Sequence, residues 1–109
     1  MDSEIDMATD LRDVQTFPHY KTITVTTVAM EILLPSAAGA IEIGSSGSSL
    51  WQGRNGCTDG GAMPIDKIFI PAGNVKNTTL GRGLQRNTSI FVASQTGSAT
   101  VFVEITERQ

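Results

Sequence analysis

The sequence has little charge, a single cysteine and no long hydrophobic run, and each shortage narrows the class of protein. Charged residues occupy 17% of the 109 positions, below the roughly 25% of an average soluble domain. Cys57 has no second cysteine for a disulfide, which favours a reducing compartment or a fold stabilised by its neighbours. No apolar run approaches the ~20 residues that span a bilayer, and no secretory signal pattern is visible. The sequence therefore predicts no membrane partner.

The net charge of −3 is distributed unevenly along the chain. Residues 1–13 hold five acids and one arginine, a net charge of −4, whereas the other 96 residues hold six acids and seven bases, a net charge of +1. Attraction to phosphate groups needs clustered Lys and Arg side chains. A near-neutral body behind an acidic segment therefore predicts no nucleic-acid partner.

The first 20 residues lack a period-2 pattern and are predicted to form an extended N-terminal arm (1–20) before one β domain (21–109). Residues 8–14 suit either a helical turn, capped by Thr9 or Asp10, or a frayed terminus. The acidic side chains make the arm a candidate segment for binding a partner, and an aromatic residue closes it at the Phe17-Pro18 step. The candidate contacts in the arm are Asp2, Glu4, Asp6, Asp10 and Phe17.

From Lys21 onward, polar and apolar residues alternate and β-branched side chains are frequent, which predicts β-strands. The segments predicted to be strands are 22–26, 28–34, 40–44, 65–70, 89–94 and 99–106, with a further one within 75–84. The phase changes at Thr26-Thr27, which indicates either a β-bulge or the junction of two strands. About seven or eight short antiparallel strands without an amphipathic helix predict an all-β fold, either a jelly roll or a β-sandwich.

Two aromatic residues of the body are candidate contacts. Trp51 lies in the glycine-rich stretch 44–64, which is predicted to be a long loop. It is interpreted either as the anchor of that loop or as an exposed contact for a partner protein or a sugar. Phe102 points outward from strand 99–106, whose inward positions are aliphatic. An outward phenylalanine indicates a face covered by the arm or by another subunit.

No group of catalytic or metal-binding residues is recognisable in the sequence. His19 is the only histidine and Cys57 the only cysteine, whereas a zinc site needs three or four ligands and a thiol nucleophile needs a base beside it. No phosphate-loop, dinucleotide-binding or nucleophile-elbow motif occurs. The sequence therefore predicts a protein that is not an enzyme and has no metal ion or other cofactor. This argument concerns metal and thiol chemistry, because paired catalytic acids leave no local motif.

As a whole, residues 21–106 resemble small virion proteins of tailed bacteriophages, which decorate capsids or sit on tails as adaptors. The resemblance lies in the order of TITVTTVA, AIEIG, GGAMPIDKIFI, SIFVAS, QTGS and TVFVEITE. It implies a jelly-roll or β-sandwich structural protein of the virion, assembled in the host cytoplasm. It also implies a homo-oligomer, most often a trimer, that binds capsid or tail proteins through exposed edges and terminal arms. It implies no catalytic residue.

The function expected from the sequence is that of a capsid decoration (cement) protein, attached through the arm and the glycine-rich loop. Two alternatives stay open. A tail or neck adaptor differs from a decoration protein in copy number. A carbohydrate-binding module on a tail or fibre would use Trp51 as the platform on which a glycan stacks.

Overall fold

The computed structural model describes residues 8–53, 60–63, 67–80 and 89–108, which form nine β-strands and no helix. In chain order the strands are β1 (Thr9–Asp10), β2 (His19–Val25), β3 (Met30–Leu33), β4 (Ala38–Ser46), β5 (Leu50–Gly53), β6 (Ile68–Ile70), β7 (Val75–Thr79), β8 (Ser89–Ser94) and β9 (Ala99–Glu107). The described residues include no helix that is long and apolar enough to cross a membrane.

The strands form two sheets. The five-stranded sheet has the order β1-β3-β8-β5-β6, and the four-stranded sheet has the order β2-β9-β4-β7. All neighbours are antiparallel except β1, which runs parallel to β3. The predicted all-β sandwich is confirmed, and the strand order is compatible with its jelly-roll variant.

Aliphatic side chains from both sheets form a single core. Members at most 3% exposed include Ile32, Leu50, Ile90 and Val92 from the five-stranded sheet, and Ile41, Ile43, Val101, Val103 and Ile105 from the four-stranded sheet. Burial of one such side chain stabilises the fold by about 1.5–3 kcal/mol relative to its exposure to water. The inward positions predicted for β9 are therefore confirmed, and the period of two along the strand is their cause.

Among the described strands, all consecutive pairs except β5 and β6 lie in different sheets, and two of these connections bear on the sequence predictions. The phase change at Thr26-Thr27 marks the junction of β2 and β3, which belong to different sheets, so the bulge alternative is wrong. The turn at residues 95–97 joins β8 to β9, which also lie in different sheets, so these two strands do not form a hairpin. Gly97 has a φ of 62° in this turn, a backbone conformation that glycine adopts without steric cost.

The described part of the predicted arm packs on the sandwich. Residues 8–14 form neither a helical turn nor a frayed terminus, because Thr9 and Asp10 pair with β3. Leu11 continues this pairing by donating its N–H to the Leu33 carbonyl at 2.9 Å, and its side chain is only 5% exposed. The Phe17–Pro18 peptide bond is cis.

The stretch 44–64, predicted to be a loop, contains regular structure. Strand β4 continues to Ser46, and β5 begins at Leu50. The prediction failed because serine and glycine mark turns in sequence, yet the Ser45 hydroxyl here donates to the Ser48 carbonyl at 2.8 Å inside the fold. Further along, the N–H of Gly60 donates to the Ala29 carbonyl at 2.6 Å, which brings the chain back beside the start of β3.

Candidate interaction surfaces

A row of four residues crosses the outer face of the four-stranded sheet. Thr22 pairs with Phe102, Phe102 pairs with Gly44, and Gly44 pairs with Val75. Gly44 leaves a gap between the two large side chains of the row. A Cβ atom there would lie 3.1 Å from the Asn74 carbonyl oxygen and 3.2 Å from Cγ2 of Val75. The absence of a side chain at Gly44 therefore gives this face its concave shape.

A second row lies beside the first on the same face. Tyr20 pairs with Glu104, Glu104 with Glu42, and Glu42 with Asn77. The two rows border a groove of about 500 Å³, called here the sheet groove, whose lining includes Tyr20, Glu42, Gly44, Val75, Phe102 and Glu104. Its volume falls in the range of roughly 300–1,000 Å³ that is typical of ligand-binding pockets.

The sheet groove combines apolar walls with a pair of carboxylates. Glu42 and Glu104 lie directly opposite each other on neighbouring strands, an arrangement that is unfavourable for like charges. Asn77 Nδ2 donates to Glu42 Oε2 at 3.1 Å. In the part of the chain that the structure describes, neither carboxylate forms an ion pair, and Lys21 is the one basic residue of the groove lining. The groove thus offers negative charge between aromatic side chains.

A second exposed surface lies on the five-stranded sheet, where β5 and β6 pair. Trp51 pairs with Phe69, and their ring centroids are 5.0 Å apart with the planes tilted by 57°. The ammonium group of Lys67 lies over the Trp51 ring, 4.7 Å from its centroid, within the ~6 Å range of a cation–π contact. The half-buried Trp51 is therefore part of an ordered cluster with one ring face already occupied.

The described candidates of the arm occupy different environments. Asp10 accepts hydrogen bonds from Arg12 Nε at 2.9 Å, from Nη2 at 2.7 Å and from the Arg12 backbone N–H at 3.0 Å. These hydrogen bonds, foremost those of the guanidinium, lower the pKa of Asp10 from 3.8 to about 2. Phe17 is half-buried and packs against the core. The carboxylate of Asp10 is thus already paired, and Phe17 acts mainly in packing.

Asp2, Glu4 and Asp6 lie outside the described residues, so their predicted contacts stay predictions. Trp51 and Phe102 are not brought together, because β5 and β9 belong to different sheets. They mark two separate surfaces rather than one site.

Sequence reasoning missed several of the residues that build these surfaces: Tyr20, Gly44, Val75, Lys67 and Phe69. The outward position of Tyr20 could have been predicted, because Tyr20 alternates in step with the outward positions Thr22 and Thr24 on β2. Val75 and Gly44 had no such signal, since their role depends on which strands become neighbours.

Among the described residues, no three His, Cys, Asp or Glu side chains lie close enough together to hold a metal ion. His19 is half-buried at the start of β2, opposite Ile105. Cys57 lies outside the described residues, so the pairing of the thiol with this histidine is not tested by the structure.

Comparison with known protein families, with curated protein sequences and with solved structures finds no match to this chain.

Proposed function

We propose that this protein is a structural component of a bacteriophage virion, a capsid decoration protein that binds the particle through its exposed surfaces and its acidic N-terminal segment. The layout of residues 21–106 supports the proposal by its resemblance to phage virion proteins, and the all-β sandwich suits such a role. In this proposal the protein acts as a homo-oligomer, with a trimer favoured.

The observation that carries the proposal is the exposed apolar surface of the sheet groove. Tyr20 is 68% exposed, Val75 64% and Phe102 50%, and all three line one concavity. Large apolar side chains that are grouped at a surface are typical of protein–protein interaction sites. Aromatic residues are also enriched among those that dominate binding energy at interfaces.

The first test is the copy number of the protein in purified phage particles. Quantitative mass spectrometry against the major capsid protein should find hundreds of copies per particle. A few tens of copies or fewer would favour the tail or neck adaptor instead. Absence from purified particles would contradict both roles.

The second test concerns the acidic segment. Asp2→Asn, Glu4→Gln and Asp6→Asn together remove three charges while they leave β1 and Leu11 in place. We expect the variant to fold as the wild type does and to show reduced occupancy and a slower association rate on particles, because complementary charge mainly increases the rate of encounter. Asp59→Asn, Asp66→Asn and Glu107→Gln together remove the same number of charges outside residues 1–13 and are the control for a general effect of charge. Unchanged occupancy of the triple variant would remove the arm from the proposal.

A carbohydrate-binding module remains the second candidate, because Trp51 lies at an exposed surface together with Phe69. The Lys67 ammonium occupies one face of the indole, which leaves less room for a sugar to stack. A glycan array that compares the wild type with Trp51→Ala separates the two functions. Glycan signals that are present for the wild type and absent for Trp51→Ala would favour the carbohydrate-binding function. An array without signals for the wild type would refute it.

A further inference from the structure

The sheet groove also indicates the chemistry of its occupant. Its apolar part is formed by Phe102 and Val75 on either side of Gly44, and its acidic part by the opposed Glu42 and Glu104. Tyr20 pairs directly with Glu104 and thereby places an aromatic ring at the acidic end. A ligand that fills both parts needs an apolar group and a positive charge a few ångströms apart.

A cation is the ligand group that would stabilise the opposed Glu42 and Glu104 carboxylates most. Like charges on directly opposite strand positions destabilise a sheet, and a cation placed between them would remove this repulsion. Aromatic rings beside the carboxylates add attraction, because the face of an aromatic ring attracts cations. Among the described residues no basic side chain forms an ion pair with either glutamate, so a cationic ligand meets no competing ion pair from that part of the chain.

Charge also argues against two other occupants. The chain's own N-terminal segment carries Asp2, Glu4 and Asp6, which the groove glutamates would repel. A second copy that placed the same groove against this one would bring Glu42 and Glu104 close to their own counterparts, because a two-fold interface is self-complementary. The face that bears Phe102 therefore favours neither the arm nor an identical face of another subunit.

We propose that the sheet groove binds an extended segment of a different protein that carries a lysine or arginine two residues from an apolar residue, so that both side chains face the groove. The apolar side chain covers Phe102 and Val75 above Gly44, and the cation lies between Glu42 and Glu104. This inference rests on the proposed function only for the source of the segment, which would be a capsid or tail protein.

The test uses the full-length ¹⁵N-labelled protein and two synthetic nine-residue peptides with blocked ends. One peptide has serine at every second position and valine and lysine in turn at the positions between, so that both face the same side of an extended chain. The other peptide has glutamate in place of lysine. We expect the lysine peptide to shift the amide signals of Thr22, Gly44, Val75 and Phe102 in NMR spectra, and to bind at least about tenfold more tightly than the glutamate peptide, since juxtaposed like charges are costly at an interface. Added salt should weaken the binding, because it screens exposed charges.

Matched variants locate the binding. Two variants should each bind the lysine peptide about tenfold more weakly, which corresponds to about 1.4 kcal/mol. They are the double variant Glu42→Gln/Glu104→Gln and the single variant Phe102→Ser. Glu107→Gln and Phe69→Ser are the controls, because they remove a like charge and an equal ring outside the groove. Unfolding curves confirm that each variant is folded before its affinity is measured.

Four outcomes would overturn the inference: no binding of the lysine peptide, equal binding of both peptides, shifts confined to other residues, or equal losses in the control variants. Shifts of the groove amides with protein concentration alone would identify a second copy as the occupant and would also overturn it. Occupancy on purified particles is measured separately. A protein that is present on particles but does not bind the peptide refutes the inference alone, and the reverse result refutes the proposed function alone.

Discussion

Gln52 is a polar residue at a core position of β5. It is 4% exposed, and its Nε2 donates to Thr78 Oγ1 of β7 at 3.0 Å, which links the two sheets. Its Oε1 is buried and has no hydrogen-bond partner among the described residues. A buried polar atom without a partner costs free energy, so this bond fixes how the sheets face each other at some expense of stability.

The effect of this pair is testable by single and double substitution. Gln52→Ala should lower the free energy of unfolding by about 2 kcal/mol, because it leaves the Thr78 hydroxyl buried without its partner. Gln52→Leu with Thr78→Val should stay within about 1 kcal/mol of the wild type or exceed it, because both polar groups are replaced together. Urea unfolding measures both values. A double variant less stable than Gln52→Ala would contradict this account.

Asp10 gives a prediction about pH. Its pKa of about 2 should appear as the midpoint of its carboxyl ¹³C titration in NMR, and Arg12→Gln should move that midpoint up towards the ordinary 3.8. The contribution of the pair to stability is fully present above the pKa of the unfolded chain, and it is lost as the pH falls from 3.8 through the folded pKa of about 2. Because both side chains are exposed to solvent, concentrated salt should also raise the midpoint. A midpoint near 3.8 in the wild type would refute the ion pair in solution.

Strand β1 is only two residues long, and contacts with the rest of the five-stranded sheet and the core hold it in place. Its backbone pairs with β3, and Leu11, which follows it, is buried in the core. Strand β1 also lies at one edge of the five-stranded sheet. The N-terminal segment is therefore anchored to the body at residues 9–11.

Leu11→Ala tests this anchor. The substitution should reduce stability by about 2–3 kcal/mol, because it removes buried methyl groups and leaves a cavity. Gln15→Ala, at an exposed position of the same segment, should change stability by less than about 0.5 kcal/mol. Both values follow from urea unfolding. Equal and small effects of the two substitutions would show that the segment does not contribute to the core in solution.

Strand β4 has an irregularity that depends on glycine. The register with β9 shifts between Ala38 and Ala40, and a Cβ atom at Gly39 would lie 2.6 Å from the Arg108 Cα. The Arg108 N–H donates to the Ala37 carbonyl at 2.6 Å, which holds the end of β9 against this position.

Gly39→Ala should therefore cost about 1–3 kcal/mol, because the backbone of β9 has to move. Deletion of residues 108–109 removes the obstacle, so the same substitution should cost less in the shortened chain. A double-mutant cycle on unfolding free energies measures this coupling. Equal costs in both backgrounds would mean that the contact with Arg108 is not the cause.

For the molecule as a whole, one core shared by both sheets predicts cooperative unfolding. Trp51, the only tryptophan, reports on the five-stranded sheet, and far-ultraviolet circular dichroism reports on all strands. The two signals should change together during urea unfolding, as in other small domains with a single core. If Trp51 fluorescence changed at clearly lower urea than the circular dichroism, the five-stranded sheet would unfold separately.

The fold was more predictable than the candidate site. Strands β2 and β9 follow from local alternation, since one buried face imposes a period of two, and β8 follows from its short continuous apolar run. Strand β5 was missed because serine and glycine on both sides of Leu50 and Trp51 indicate a loop. Of the residues that line the sheet groove, only Phe102 was predicted from the sequence as a contact, because it is an apolar residue among the polar outward positions of β9. Tyr20, Gly44 and Val75 lie far apart in sequence, and only strand pairing places them around it.

The sequence by itself determined the fold class and the inward face of each clear strand, because alternation and β-branched residues act locally. Only the tertiary structure decided which strands are neighbours, since pairing depends on contacts between distant segments. That pairing places Glu42 opposite Glu104 and Phe102 beside Gly44, and it joins residues 9–11 to the body. The surfaces through which the protein is proposed to bind are products of this pairing.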